Sequence, residues 1–172
     1  MMDALQVLRE RRSVRVYDGS KQLSSEILEA IVDCGRLACT ARNEQPWEFV
    51  VVTDPAMRAR IADITQHGKH IAGAAACIAV FCSDTRYYLE DGSAATQNIL
   101  NAAWALGVGG CWVAGDKKEY AGEMGALLGV PADKKLVSLI ALGHPAAIPA
   151  PPKRAPETPV PRRTRRTPTA RP

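Results

Sequence analysis

An α+β domain, with helices and short strands alternating along the chain, is predicted by three observations. The 172 residues match the size of one domain and suffice to bury a core. Hydrophobic residues make up 47% and charged residues 23%, the balance of an ordinary globular protein. Between the N-terminus and Gly143 the apolar pattern switches repeatedly between helical and strand spacing.

Residues 3–11 read as a first helix. A second opens at Ser24 and sets Ile27, Leu28, Ile31, Val32 and Gly35 on one face at three-to-four spacing. Glu48–Thr53 is a short, valine-rich run with strand character. Asp54-Pro55 then joins an N-cap acid to a proline at the first helical position, and Met57, Ile61 and Ile64 make an apolar face. Ala76–Cys82 is a candidate buried strand. Asp91–Leu106 is the longest predicted helix, ended by Gly107. Its Ala94, Ala95, Ala102, Ala103 and Ala105 would let another backbone approach, at the centre of the fold or at a subunit contact. Gly109–Val113 reads as a strand. Asp116-x-x-Glu119 resembles a capping box for a helix closed by Gly129, and Lys135–Leu142 is the last strand. There is no internal repeat.

Composition shifts after Gly143. Nine of the twelve prolines lie from Pro145 to Pro172, where Ile148 and Val160 are the large aliphatics. Such a segment cannot bury a core of its own, so residues 155–172 are expected to be an extended or disordered tail behind a folded domain of residues 1–154. From Lys153 onward, seven basic residues face one acid, a charge of +6. The whole chain carries +4, which leaves −2 on residues 1–152. The basic character belongs to the tail.

No apolar run approaches the roughly 20 residues needed to span a bilayer, and no signal peptide opens the chain, so a cytoplasmic protein is expected. The five cysteines, Cys34, Cys39, Cys77, Cys82 and Cys111, lack the spacing of a zinc or dithiol site and sit among apolar residues, as structural thiols do. His67 and His70 are three apart without a convincing third ligand, so no metal site is expected. No nucleophile elbow, Walker loop or dinucleotide fingerprint is present.

Arg11-Arg12-Ser13-Val14-Arg15 puts three guanidiniums and a hydroxyl within five residues, either an anion site or a solvated basic surface. Three further segments follow. They are Asn43-x-Gln45-Pro46-Trp47-x-Phe49, the run from Ala95-x-Gln97-Asn98 through Gly107 into Gly110-Cys111-Trp112-Val113, and Ile140-Ala141-Leu142-Gly143-His144-Pro145 with Lys153-Arg154 beyond. Together the four resemble the small, compact branch of the nitroreductase superfamily of FMN-dependent oxidoreductases, over about residues 4–154.

The resemblance implies a nitroreductase-like fold, a central, mainly antiparallel sheet flanked by helices in an interlocked homodimer with FMN at the interface. It implies that Arg11, Arg12, Ser13 and Arg15 hold the phosphate and ribityl chain, joined by Lys153 or Arg154. It assigns Thr40, Ala41 and Asn43 to a loop that reaches the partner's flavin, although Ala41 and Arg42 replace the small hydroxyl residues common there. Backbone N–H groups of Ala114 and Gly115 would meet flavin N5 and O4, with Trp112 and Val113 alongside. Such donors stabilise charge as an oxyanion hole does. Lys69, His67 and His70 are candidates for the pyrimidine end. Trp47 reads as a core aromatic, and Trp112 as either pocket wall or core.

In that family the cofactor carries the chemistry. NADH or NADPH gives two electrons, and a nitroaromatic, quinone or conjugated acceptor takes them in ping-pong order. Relatives also dehalogenate, oxidise thiazolines or fragment flavin, so the acceptor stays open. The proline-dense tail departs from the C-terminal arm that relatives wrap around their partner, because proline cannot donate to a sheet ladder. The competing reading is a non-redox binding module that uses the Arg-rich tail on nucleic acid or an acidic partner. The negative body and the lack of a nucleic-acid-binding motif weigh against it.

Overall fold

Local signals set most helix ends. The Asp3 carboxylate accepts from the Gln6 N–H at 2.9 Å and opens α1 (Ala4–Glu10), and Ser24 accepts from the Ile27 N–H to open α2 (Ser25–Arg36). Asp54 accepts from the Met57 N–H at 2.7 Å, with Pro55 in the first turn of α3 (Pro55–Ile64). Gly129, at φ 69°, closes α5 (Ala121–Leu128) in the left-handed region glycine tolerates. The computed structural model describes residues 2–153, so Arg154 and the tail of residues 155–172 lie outside the described residues.

Four strands, β1 (Trp47–Val52), β2 (Ala76–Ser83), β3 (Gly109–Ala114) and β4 (Lys134–Gly143), form one sheet in the order β1-β2-β4-β3. Every neighbouring pair is antiparallel. The alternation of side chains along β2 separates two cores. Ala76, Ile78, Val80 and Cys82 face α2 and the long central helix α4 (Tyr88–Ala105), while Cys77, Ala79 and Phe81 face α3 and α5. Ile31, Ile99 and Ile140 on the first side and Ile61, Ile71 and Leu139 on the second are fully buried, each worth about 1.5–3 kcal/mol in transfer energy. A register shift opposite Val80 and Phe81 lets Val137 and Ser138 both face α4. The Thr96 hydroxyl donates to the Gly92 carbonyl, so the Ser138 hydroxyl, 2.7 Å away, donates to Thr96.

The small residues of α4 sit at the centre of the fold. Ala95 and Ala103 are fully buried. A Cβ on Gly92 would come within 2.7 Å of Val137 Cγ2 and 2.9 Å of Cys82 Sγ, and one on Gly35 of α2 within 2.7 Å of Ile99 Cγ1. These glycines set how closely α4 approaches the sheet and α2.

Three expectations need correction. The central helix starts at Tyr88, three residues before Asp91. The Asp116–Glu119 capping box does not form, because the Asp116 carboxylate accepts from the Tyr88 hydroxyl at 2.6 Å and α5 opens at Ala121 without a side-chain cap. Cys77, Cys82 and Cys111 are buried thiols, the first two pushed up to about 12 by burial, but Cys34 and Cys39 are exposed.

The N-terminal arm then crosses the far end of the sheet. Ser13 forms a parallel bridge with Gly110, and the Val14 N–H donates to the Gly110 carbonyl at 3.0 Å. Tyr17 bridges Pro145, and its half-buried phenol donates to the Val14 carbonyl at 2.6 Å. Arg15 is thereby fixed beside β3. No helix among the described residues is long and apolar enough to cross a membrane.

Candidate functional site

β3 is an edge strand, and its backbone polarity decides what the edge offers. Gly115 donates its N–H to the Val137 carbonyl at 3.0 Å. Antiparallel pairing alternates, so the N–H of Ala114, one residue earlier, points away from β4 toward the open edge. The carbonyls of Gly110 and Ala114 point the same way, accepting from the Val14 N–H and the Tyr120 hydroxyl respectively. Between these two anchors the edge is open.

A cleft of about 400 Å³ lies against this open stretch, within the size range of small-molecule sites. Trp112, Val113 and Ala114 form one wall, and Arg15, Gln66, His67, His70, Cys111, Lys118 and Tyr120 complete it. Trp112 also packs against the α2–α4 core, so its two expected roles coexist. Desolvation raises the Cys111 thiol's pKa, with Arg15 and Arg11 opposing that rise through their charge. Both guanidiniums therefore act at this end of the sheet. Burial first, and the Arg15 charge second, lower the pKa of His70. Both effects favour the neutral imidazole, and its buried Nε2 has no hydrogen-bond partner among the described residues.

The structure brings Arg15, Trp112, Val113 and Ala114 together in this cleft with two of the three pyrimidine-end candidates, His67 and His70. Other expected residues are engaged elsewhere. Arg12 donates to the carbonyls of Arg9 (2.8 Å) and Arg11 (2.9 Å), capping the end of α1 instead of facing the cleft. The Lys69 ammonium donates to the Asp63 carbonyl at 3.0 Å and points out to solvent. The N–H of Gly115 is spent on β4, so it is not a free donor, and its missing side chain answers to Leu136, whose Cγ would lie 2.5 Å from a Cβ there. Ser13 contributes the backbone bridge to Gly110, and Lys153 does not line the cleft.

Thr40, Ala41 and Asn43 lie on a separate loop ahead of β1. Asp91, 4% exposed, accepts from the Thr40 hydroxyl at 2.9 Å and from the Ala41 N–H at 3.0 Å. Thr40 Oγ1 accepts in turn from the Gln45 N–H. Arg42, Asn43 and Gln45 all hold φ near +50°, which costs a non-glycine residue about 1 kcal/mol or more. This carboxylate keeps a costly loop shape in place. Asp91 was missed because its partners lie fifty residues away; Tyr120 and Lys118 were missed because nothing local marks them.

The nitroreductase family model matches residues 8–76 and 70–144. The chain belongs to the nitroreductase family. A relative from Archaeoglobus fulgidus, provisionally named an NADH dehydrogenase/NAD(P)H nitroreductase, is 37% identical over 153 residues, covering 84% of this chain and 87% of that protein. A crystal structure from Bacteroides thetaiotaomicron with the same provisional name superposes with a TM-score of 0.85 at 31% identity, over 91% of this chain and 95% of that one. A provisionally named nitroreductase from Desulfovibrio desulfuricans, solved in complex with FMN, gives 0.78 at 30% identity over 94% and 99%. At these TM-scores the chain shares the fold of both solved structures, and its own antiparallel sheet with flanking helices is the architecture expected of the family.

Proposed function

We propose that this nitroreductase is an FMN-dependent oxidoreductase that passes two electrons, in ping-pong order, from NADH or NADPH to a small electron-poor acceptor such as a nitroaromatic or quinone. The cleft on the open edge of β3 carries the reading. It offers a guanidinium for a phosphate, an outward-pointing peptide N–H at Ala114, an unpartnered buried imidazole nitrogen at His70 and the strand edge of Trp112 and Val113. That donor set suits a planar, amide-rich ring bearing a phosphate chain. FMN supplies the redox chemistry when bound, and the protein supplies position and electrostatics.

In this reading Arg15, with Arg11, neutralises the phosphate, and Ser13 and Arg154 add to it. The Ala114 N–H donates to the ring edge that gains charge on reduction, and the neutral His70 imidazole hydrogen-bonds the ring without adding charge of its own. Trp112 excludes water from one face. Thr40, Ala41 and Asn43 complete the site in a homodimer, held in shape by Asp91. The dimer reading is supported by the exposed apolar side chains Leu5, Leu8, Leu37 and Leu106.

The purified protein's visible spectrum tests this. FMN absorption that survives desalting, bleaches with NADH or NADPH without oxygen and returns on adding a quinone supports the proposal. A colourless protein that FMN does not reconstitute refutes it.

A further inference from the structure

A second cleft, of about 440 Å³, adjoins the first. Gln66, Lys118 and Tyr120 line both, so these three side chains form their shared boundary. Tyr120 cannot swing aside freely, because its hydroxyl is tied to the Ala114 carbonyl at the edge of β3. Beyond this junction the outer cleft presents Ile64, Lys117, Glu119 and Glu123. The charges divide between the two clefts. Arg15 lines the first alone, Lys118 lines both, and Lys117, Glu119 and Glu123 line the second alone. Lys117 lies 3.8 Å from Asp116, whereas Lys118 forms no ion pair among the described residues.

We propose that the outer cleft seats the adenosine diphosphate half of the electron donor and selects NADH over NADPH. This rests on the redox reading above. A nicotinamide that reaches the inner cleft leaves most of its dinucleotide to be housed outside it, and the outer cleft adjoins that space across Gln66, Lys118 and Tyr120. The pyrophosphate needs a cation where it leaves the inner cleft, and Lys118 stands there, with Lys117 one residue behind. The adenosine ribose of NADH presents two hydroxyls that can donate to carboxylates, and Glu119 and Glu123 line the outer cleft but not the inner one. NADPH puts a dianionic phosphate on that same ribose, against the same carboxylates. Repulsion between phosphate and glutamates in a partly exposed cleft, screened by salt, gives a preference of about tenfold or more. An acidic residue on the ribose diol reads NADH in the dinucleotide-binding folds by the same chemistry, although this chain lacks their glycine fingerprint.

The test compares the holoenzyme with the variant carrying both Glu119→Lys and Glu123→Lys, using one quinone acceptor. The wild type is expected to show kcat/KM at least tenfold higher for NADH, chiefly through KM. In the double variant that ratio should fall at least tenfold while kcat with saturating NADH stays within a few-fold. Lys118→Ala should raise KM for both donors. A calorimetric titration with ADP-ribose and with its 2′-phosphorylated form reads the same site without redox chemistry, and the wild type should bind the unphosphorylated form more tightly. Equal or better use of NADPH, or a ratio unmoved in the double variant, overturns the inference while the oxidoreductase reading stands. If neither dinucleotide reduces the protein, the oxidoreductase reading fails and the ADP-ribose titrations decide alone, selective binding supporting the outer site and no binding overturning it.

Discussion

Replacing Asp91 with alanine should release the loop of residues 40–45 before it unfolds the domain. The carboxylate is buried and accepts two hydrogen bonds, from the Thr40 hydroxyl and the Ala41 N–H. Hydrogen bonds to a charged group contribute about 1.5–3 kcal/mol each, a gross loss of about 3–6 kcal/mol. Part is returned, because the variant no longer buries a carboxylate. Relaxing Arg42, Asn43 and Gln45 from their positive φ values returns more, at about 1 kcal/mol each. The net cost should be about 2–4 kcal/mol in urea unfolding. Hydrogen exchange should localise the change, with the Ala41 and Gln45 amides losing protection while those of β2 and β4 keep theirs. Asp91→Asn retains one acceptor and should cost less. Thr40→Val removes one of the same bonds, so combining it with Asp91→Ala should fall short of additivity. If Asp91→Ala costs under about 0.5 kcal/mol and leaves both amides protected, the carboxylate does not hold the loop.

Arg15→Ala should weaken FMN binding by about tenfold to a hundredfold, the worth of one charge-assisted phosphate contact, and flatten its dependence on salt. Fluorescence titration would read both, and an unchanged affinity would remove Arg15 from the site. Gly92→Ala should destabilise the fold by about 1–3 kcal/mol through overpacking against Val137 and Cys82, visible in thermal melts; a neutral outcome would mean that α4 approaches the sheet less closely. His70 titrates below its ordinary 6.5 when folded, so the unfolded chain binds more protons as the pH falls through that value. Stability should then rise with pH from the lowered folded value up to about 6.5, and His70→Gln should remove that contribution. Equal slopes for both proteins between pH 5 and 7 would contradict it.

What the sequence disclosed was whatever its neighbours decide. Ser24, Asp54 and Gly129 mark helix ends because a cap needs partners only two to four residues away. The strand runs read correctly because apolar side chains fill both faces of β2 and β4. What stayed hidden was decided at a distance. Asp116 looked like a cap but is held by Tyr88, 28 residues upstream, and Asp91 looked like a helix start but anchors a loop fifty residues earlier. Arg12 and Arg15 looked equivalent in sequence. Only the end of α1 and the course of the arm separate a capping guanidinium from one in the cleft. Gly115 read as a site for close approach by a ligand, yet Leu136 already fills the space beside it.

The bridges from Ser13 to Gly110 and from Tyr17 to Pro145 bear on how the site comes into being during synthesis. Arg15 leaves the ribosome well before the backbone that fixes it, which is made about a hundred residues later. The Asp18 N–H waits for the His144 carbonyl, and the Ala146 N–H closes back onto Val16. Contacts so distant in sequence form late, since the entropy of closing the intervening loop is lost before they give anything back. A nascent chain can build α2, β1 and β2 and still lack the cleft that Arg15 lines. The arm's attachment beside β3 and β4 thus makes completion of the proposed cofactor cleft a report that nearly the whole domain has folded.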